Sequence, residues 1–198
     1  MPTVRQYIGQ GKEESMFDSF KIRAEAVSSE VHRFSQKADA LHFIVDFLKK
    51  EGIANTAGSY ALWADCPFLE GLDKVVLRQE VSGLIFDVTR ELAAGAKIGI
   101  SQMDWALADT GTLVQDATAI EKRLVSTLPE IHVALIETEK ILPDMPSALS
   151  RMSPNDASYL SMITGPSRTA DIERVLTIGV HGPVRVVIVC VDERGGKT

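Results

Sequence analysis

The chain has 198 residues, of which 45% are hydrophobic and 24% are charged, a composition typical of one large globular domain. Its 27 acidic and 21 basic residues give a net charge of −6, which disfavours non-specific binding to nucleic acid or to anionic lipid. No apolar stretch reaches the roughly 18 residues that identify a membrane-spanning helix.

The two cysteines, Cys66 and Cys190, are too few for a four-thiolate zinc or iron–sulfur site within one chain. Cys190 lies in an apolar run typical of a buried strand, and Cys66 precedes Pro67 in a predicted loop, so structural roles are favoured for both thiols. The histidines show no metal-ligand spacing, and we expect this chain to bind no metal. With no disulfide framework and no secretory signal evident, we expect a cytoplasmic protein.

Helical spacing dominates the first quarter of the chain. Residues 1–12 contain few apolar side chains and are predicted to form a loose arm or a first turn. Apolar residues three and four positions apart predict a helix over Phe17–Val27 and another over Ala38–Leu48, which Gly52 ends. Between the two helices, Glu30–Phe34 is interpreted as a short strand.

The middle of the chain carries shorter signals. Val75–Leu77 and Leu84–Phe86 are predicted to be buried strands, Glu91–Ala96 a helix, and Ile98–Ile100 a strand. After them, two apolar runs are separated by residues 109–111, which predicts neighbouring strands joined by a tight turn.

The apolar pattern in the last third of the chain predicts a strand–helix–strand unit. A helical stretch closes at Pro129, and His132–Ile136 is interpreted as a central strand. Tyr159–Ile163 is a predicted strand, a helical stripe runs over residues 172–179, and Val184–Val191 is a predicted buried strand. Strands that alternate with helices and are apolar on both faces predict an α/β fold, whose mostly parallel sheet is covered on both sides, over a single domain of residues 1–198.

Thr164, Gly165, Ser167 and Arg168 follow a predicted strand and open a predicted helix. Backbone N–H groups at such a helix start attract anions, and an arginine adds a forked cation that suits a carboxylate. The alternative is a well-capped helix whose first-turn acids, Asp171 among them, already satisfy the helix dipole.

A second polar group sits in the predicted tight turn. Asp109, Thr110, Gly111 and Thr112 supply a carboxylate, two hydroxyls and a glycine, which suit either a polar ligand or a turn with its own hydrogen bonds. If both turns follow parallel strands, they meet over a crevice at the carboxyl edge of the sheet. His181, between the last helix and strand, is interpreted as a cap or packing residue.

Three common catalytic motifs are absent from the sequence. It has no glycine-rich dinucleotide fingerprint, no phosphate-loop lysine motif and no serine-hydrolase elbow. A standard dinucleotide enzyme, kinase or serine hydrolase is therefore disfavoured.

Three segments carry a family resemblance: ADTGTLV at Ala108–Val114, TGPSRTADIE at Thr164–Glu173 and GVHGP at Gly179–Pro183. They are similar to signatures of the lactate-utilisation (LUD) domain family, and the chain resembles its short C-type subunit, which lacks the cysteine-rich segments of larger relatives. Gln115 departs from the pattern, since an aliphatic residue is usual there, which puts the packing of the hairpin in question.

This resemblance implies a three-layer fold like that of ribose-5-phosphate isomerase, glucosamine-6-phosphate deaminase and the CoA transferases. It also implies a role in the oxidation of L-lactate to pyruvate by a multi-subunit cytoplasmic system. In that system the iron–sulfur clusters belong to partner subunits, and this chain alone is expected to bind no cofactor. A homo-oligomer of this chain is a further possible assembly. The chemical role of the short subunit is left open by the resemblance.

Two functions remain open from the sequence. A ligand-binding or assembly subunit needs a pocket for a small carboxylate near Thr110–Thr112 and Thr164–Arg168, with an exposed apolar patch for partners. An independent enzyme acting on a sugar phosphate or an acyl-CoA needs a general base or a nucleophilic carboxylate, for which Asp109 and Asp171 are the candidates.

Overall fold

A computed structural model describes residues 15–151, 157–169, 177–178 and 182–192 of the chain. The helices in these ranges are α1 (Met16–Ala26), α2 (Lys37–Lys50), α3 (Lys74–Glu80), α4 (Arg90–Gly95), α5 (Ile120–Thr127) and α6 (Met145–Arg151). The strands are β1 (Ser29–Phe34), β2 (Ala61–Trp63), β3 (Leu84–Ile85), β4 (Ile98–Gln102), β5 (Trp105–Leu107), β6 (Thr112–Asp116), β7 (Ile131–Glu137), β8 (Ile141–Leu142), β9 (Leu160–Ile163), β10 (Arg168–Thr169), β11 (Thr177–Ile178) and β12 (Arg185–Val191). None of the described helices has both the length and the apolar composition needed to cross a membrane.

A six-stranded sheet forms the centre of the molecule, with the order β1-β12-β7-β4-β2-β3 and every neighbouring pair parallel. Nearly every residue of β7 and β12 is buried, as expected for parallel strands covered on both faces. The predicted α/β fold with a mostly parallel sheet is confirmed.

The two faces of this sheet are covered by different elements. On β7, Val133 and Leu135 point into a core shared with α2 and α3. The alternate residues Ala134 and Ile136 point to the opposite face and pack with α1 and β5–β6, while α4 and α5 cover the β2 end of that face. The molecule therefore has the predicted three layers.

A second sheet completes the outer layer on the α1 side, with the order β8-β5-β6-β9. β5 and β6 form an antiparallel hairpin in which Leu107 pairs with Thr112, so the predicted tight turn between them is confirmed. Phe20 and Ala24 of α1 are fully buried against the inner face of this sheet and the parallel sheet, and α6 packs on its outer face.

A charged cluster joins elements at the amino edge of the parallel sheet. Arg185, which opens β12, donates to both oxygens of Glu30 on β1 and to Glu51 at the end of α2, at 2.8–3.3 Å. Glu51 also pairs with Lys97, which precedes β4, at 3.2 Å. Four elements are thus fixed to one another by a single network of charges.

The structure overturns the strand predicted at Val75–Leu77, which lies in helix α3. The carboxylate of Asp73 accepts hydrogen bonds from the backbone N–H groups of Val75 and Val76 and caps the helix. Both valines are exposed and only Leu77 is buried. A three-residue apolar run fits a strand or one turn of a helix equally well, and here the cap decides the outcome.

The strand–helix–strand unit predicted near the end of the chain is also wrong in its connections. β9 lies in the second sheet, antiparallel to β6, whereas β12 lies in the parallel sheet. Arg168 and Thr169 are extended and pair antiparallel with Ile178 and Thr177, so no helix begins at residue 168 or continues through residue 178. The rest of the predicted helical stripe lies outside the described residues.

Candidate functional site

The two predicted polar turns meet in the second sheet. Because β6 and β9 are antiparallel, the start of β6 lies beside the end of β9, and the hydroxyls of Thr112 and Thr164 are hydrogen-bonded at 2.9 Å. The two turns are therefore neighbours in the fold. They do not meet over a crevice at the carboxyl edge of the parallel sheet as expected, since neither turn follows a strand of that sheet.

The backbone at the C-terminal end of α1 packs against both turn glycines. Gly111 has a φ of +69°, and a Cβ atom there would lie 2.3 Å from the backbone nitrogen of Ala24. Gly165 has a φ of +72°, and its Cβ would lie 2.3 Å from the carbonyl oxygen of Val27. The glycines permit close approach of the helix backbone, which a side chain at either position would prevent.

Ser167 and Arg168 hold the chain beyond the second turn. The backbone N–H of Ser167 donates to the carbonyl of Pro183 at 2.8 Å, and Arg168 Nη2 donates to Ser28 Oγ at 3.0 Å. Ser28 joins α1 to β1 with a φ of 72°, a conformation that is uncommon for serine. The helix start on which an anion site was predicted is a strand here, and the exposed Arg168 side chain is directed to this junction.

A cleft of about 520 Å³ lies between α1 and the β5–β6 turn. Its lining residues are Met16, Ser19, Ile22, Arg23, Ala108, Asp109 and Pro143. The backbone fixes the turn side of the cleft, because the N–H groups of Ala108 and Asp109 donate to the carbonyls of Leu142 and Pro143 at 2.8 and 3.1 Å. We call this space the α1 cleft.

The α1 cleft carries one free charge of each sign. The side chains of Arg23 and Asp109 are exposed, and in the part of the chain that the structure describes neither forms a hydrogen bond or an ion pair. The hydroxyl of Ser19 is the third polar group of the lining. This arrangement can bind a small polar anion, with Arg23 as the cation and Asp109 as a hydrogen-bond acceptor.

Only one side of this cleft contains residues that the sequence motifs indicated. Asp109 and the exposed Thr110 belong to a predicted candidate turn, whereas Ser19 and Arg23 were not singled out. The apolar stripe of α1 predicted the helix, but its polar face looked like any solvated helix surface. The candidates Asp171 and His181 lie outside the described residues.

The carboxyl edge of the parallel sheet is a second concave region. Gln102, at the end of β4, accepts a hydrogen bond from the backbone N–H of Phe68 at 2.8 Å and donates to Glu137 at 3.3 Å. The same edge carries clefts of about 460 and 380 Å³ that share Asp65 and Lys122. Four carboxylates and two lysines line these two clefts: Asp65, Glu70, Asp87, Glu121, Lys74 and Lys122.

Gln115 explains how the hairpin tolerates a polar residue at an aliphatic position. Its side chain is fully buried, and Nε2 donates to the backbone carbonyl of Gln102 at 2.8 Å. The bond joins the second sheet to the end of β4. Strand β6 therefore continues through Gln115 to Asp116.

Burial shifts the pKa values of three enclosed groups, His132, Cys66 and Cys190, so that their neutral forms are favoured. His132 is completely buried, its Nε2 shares a hydrogen bond with the Ser101 hydroxyl at 3.0 Å, and burial lowers its pKa to about 4. Burial raises the pKa of the Cys66 thiol and raises that of Cys190 to about 12. Both cysteines are buried, as predicted for Cys190. No group of three or more metal-binding side chains occurs within the described ranges.

These features define a three-layer α/β protein in which a second, mixed sheet and a single helix form a polar cleft at one side of the parallel core. A solved structure shares the fold. It is a DUF162 family protein from Deinococcus radiodurans, with a TM-score of 0.60 and 14% sequence identity over 89% of this chain and 96% of that one.

The chain belongs to the LUD domain family, whose sequence profile matches residues 17–191. The resemblance inferred from the sequence motifs is thereby confirmed.

Bacterial proteins named lactate utilization protein C are among its relatives. The protein from Exiguobacterium sp. is 40% identical over 116 residues, which are 54% of this chain and 49% of the relative. The Anoxybacillus flavithermus protein is 37% identical over 63% of this chain and 58% of its own length. The Halalkalibacterium halodurans protein is 32% identical over 80% and 72%. The match thus spans about half the length of the first two relatives.

Proposed function

We propose that this chain serves L-lactate utilisation as a ligand-binding or assembly subunit. The observation that carries the proposal is its family membership together with relatives named lactate utilization protein C. The α1 cleft adds support, because its volume falls in the range of ordinary small-molecule sites and its lining includes an arginine without a partner among the described residues.

The ligand proposed for the α1 cleft is a small carboxylate. Arginine presents a planar fork of N–H donors that matches the two oxygens of a carboxylate. Arg23 occupies this role in place of Arg168, which donates to Ser28 at the α1–β1 junction. The apolar side chains of Ala108 and Pro143 give the same cleft a surface for a short hydrocarbon group.

We further propose that the chain takes part in oxidation of L-lactate to pyruvate together with iron–sulfur partner subunits. This oxidation releases two electrons, which need a carrier. Both thiols of this chain are buried and have raised pKa values, so they are poor sources of the thiolates that hold such clusters. Placing the clusters on partner subunits is consistent with this chemistry.

The alternative function, an independent enzyme for a sugar phosphate or an acyl-CoA, gains less support from the described clefts. Both ligands carry phosphate groups, which bind where positive charge prevails. The two clefts at the carboxyl edge of the sheet have four carboxylates against two lysines, and Lys74 is already paired with Asp65 at 2.9 Å.

Deletion of the gene in its native host tests the role in lactate utilisation. We expect slower growth on L-lactate as the carbon source, unchanged growth on glucose, and recovery when the wild-type chain is restored. Unimpaired growth of the deletion strain on L-lactate would count against the proposal.

Affinity purification of the tagged chain from lactate-grown cells, followed by native mass spectrometry, tests the assembly. Co-purification with iron–sulfur proteins, and lactate oxidation by the whole assembly only, are the expected results. A homo-oligomer that retains a phosphorylated or CoA-containing ligand would favour the independent enzyme.

A further inference from the structure

We infer that the α1 cleft recognises a 2-hydroxy carboxylate, with Arg23 holding the carboxylate and Asp109 accepting a hydrogen bond from the 2-hydroxyl group. This inference rests on the proposed function and goes further. It assigns two residues and predicts which carboxylates the cleft distinguishes.

The two residues are brought together by a backbone contact. The carbonyl carbon of Arg23 lies 2.6 Å from the position that a Cβ atom of Gly111 would occupy, and Gly111 follows Asp109 by two residues in the turn. The turn is fixed on its other side by hydrogen bonds from the N–H of Gly111 to the carbonyl of Leu107 and from the N–H of Asp109 to Pro143. The main chain therefore fixes the helix segment that carries Arg23 against the turn that carries Asp109, and both residues line the α1 cleft.

Opposite charges that line the same cleft commonly form an ion pair, and here they do not. Among the residues that the structure describes, Arg23 and Asp109 form no ion pair with each other or with any other group, although both line the same cleft. By contrast, Lys21 and Glu25 on the same helix pair at 3.8 Å. The α1 cleft thus offers a cation and an anion, each with its bonding capacity unused.

A 2-hydroxy carboxylate satisfies both groups at once. Its carboxylate accepts hydrogen bonds from the Arg23 guanidinium, and its hydroxyl donates to the Asp109 carboxylate, which can only accept. A 2-oxo carboxylate has no such proton and brings its carbonyl oxygen against the Asp109 oxygens. A plain carboxylate leaves Asp109 without a partner. The cleft therefore favours the reduced member of a hydroxy acid and oxo acid pair.

Isothermal calorimetry on the full chain with L-lactate, pyruvate and propionate as separate probes tests this inference. We expect L-lactate to bind at least about tenfold more tightly than either of the other two, the ratio typical of one hydrogen bond to a charged group. Arg23→Ala should weaken binding of L-lactate by at least about tenfold.

Asp109→Asn provides the sharper variant, because the amide can donate as well as accept. It should retain carboxylate binding while bringing the affinities for L-lactate and pyruvate to within about threefold of each other. Arg90→Ala, which removes an exposed arginine at the start of α4, is the matched control and should behave as the wild type.

Equal affinities for L-lactate and pyruvate in the wild type would overturn the inference, as would an unchanged preference in Asp109→Asn or no binding of any probe. Circular dichroism spectra of each variant verify that the chain is folded. These outcomes are separable from the proposed function, because the growth defect of the deletion strain does not depend on which carboxylate the cleft prefers.

Discussion

His132 and Gln115 place polar atoms in the most enclosed part of the molecule. Within the described ranges, His132 Nδ1 and Gln115 Oε1 are buried without a hydrogen-bond partner, while the other polar atom of each side chain is bonded. Such half-satisfied groups are sensitive to any change in charge, because a buried ion without a partner is strongly destabilising.

The stability of the protein should therefore depend on the protonation of His132. Its pKa is lowered from 6.5 to about 4, so between these pH values the unfolded chain binds a proton that the folded chain does not. The stability that depends on a neutral His132 is fully present above about pH 6.5. As the pH falls toward 4, the free energy of unfolding decreases by about 1.4 kcal/mol per pH unit.

His132→Leu should remove this part of the pH dependence. The free energy of unfolding, measured in urea at several pH values across that window, checks the slope. His42→Gln changes an exposed histidine and should keep the wild-type slope. A His132→Leu protein with the slope of the wild type would show that another group is responsible.

Gly111 is a residue at which one added methyl group should have a large effect. Gly111→Ala combines a positive φ with a Cβ placed 2.3 Å from the backbone of α1, and should destabilise the fold by about 3 kcal/mol. Gly58→Ala is the matched control, since its φ is +75° but nothing lies within 4 Å of the new atom. Its expected effect is about 1 kcal/mol, from the backbone conformation alone.

Urea unfolding of both glycine variants separates the two causes. Similar losses in Gly111→Ala and Gly58→Ala would mean that α1 moves aside at little cost.

At the scale of elements, the charged cluster at the amino edge of the sheet should stabilise the docking of α2. Hydrogen bonding from Arg185 lowers the pKa of Glu51, and the Glu51 side chain is only 18% exposed. Glu51→Gln should lower the free energy of unfolding by about 1 kcal/mol near neutral pH. Glu80→Gln removes an exposed pair with Lys49 at 3.7 Å and should change it little.

Because the pKa of Glu51 is lowered in the folded state, this stabilisation is present at neutral pH and is lost as the carboxyl group is protonated in acid. Chemical unfolding at pH 7 and in acid checks the difference between the two variants. A loss in Glu51→Gln that persists unchanged in acid would rule out the ionic contribution.

Much of the element pattern was predictable from local sequence. Long helices with a clear apolar stripe, such as α1 and α2, and long buried strands such as β7 and β12 were predicted with nearly their observed bounds. Short segments were not. Val75–Leu77 became helical through the Asp73 cap, and β9 joined the second sheet, because strand partners depend on contacts distant in sequence.

At the scale of the whole molecule, the three layers followed from the alternation of strands and helices, but the division into two sheets did not. The residues of the α1 cleft were likewise only partly predictable. Asp109 was a candidate because its turn has an informative motif, whereas Arg23 is more than eighty positions earlier on a helix surface without any motif. Only the packing of α1 on the two glycine turns brings them together.

That packing has a consequence for how the protein can change. The contact between α1 and the two turns is made by main-chain atoms and by the absence of two Cβ atoms, so most side chains on the outer surface of the helix have no part in it. Substitutions at Ser19, Ile22 or Arg23 can therefore alter the chemistry of the cleft without disturbing the attachment of the helix. If the α1 cleft binds the proposed ligand, α1 would be an exchangeable specificity element on a fixed framework, and a library of variants at these three positions would test for new ligand preferences.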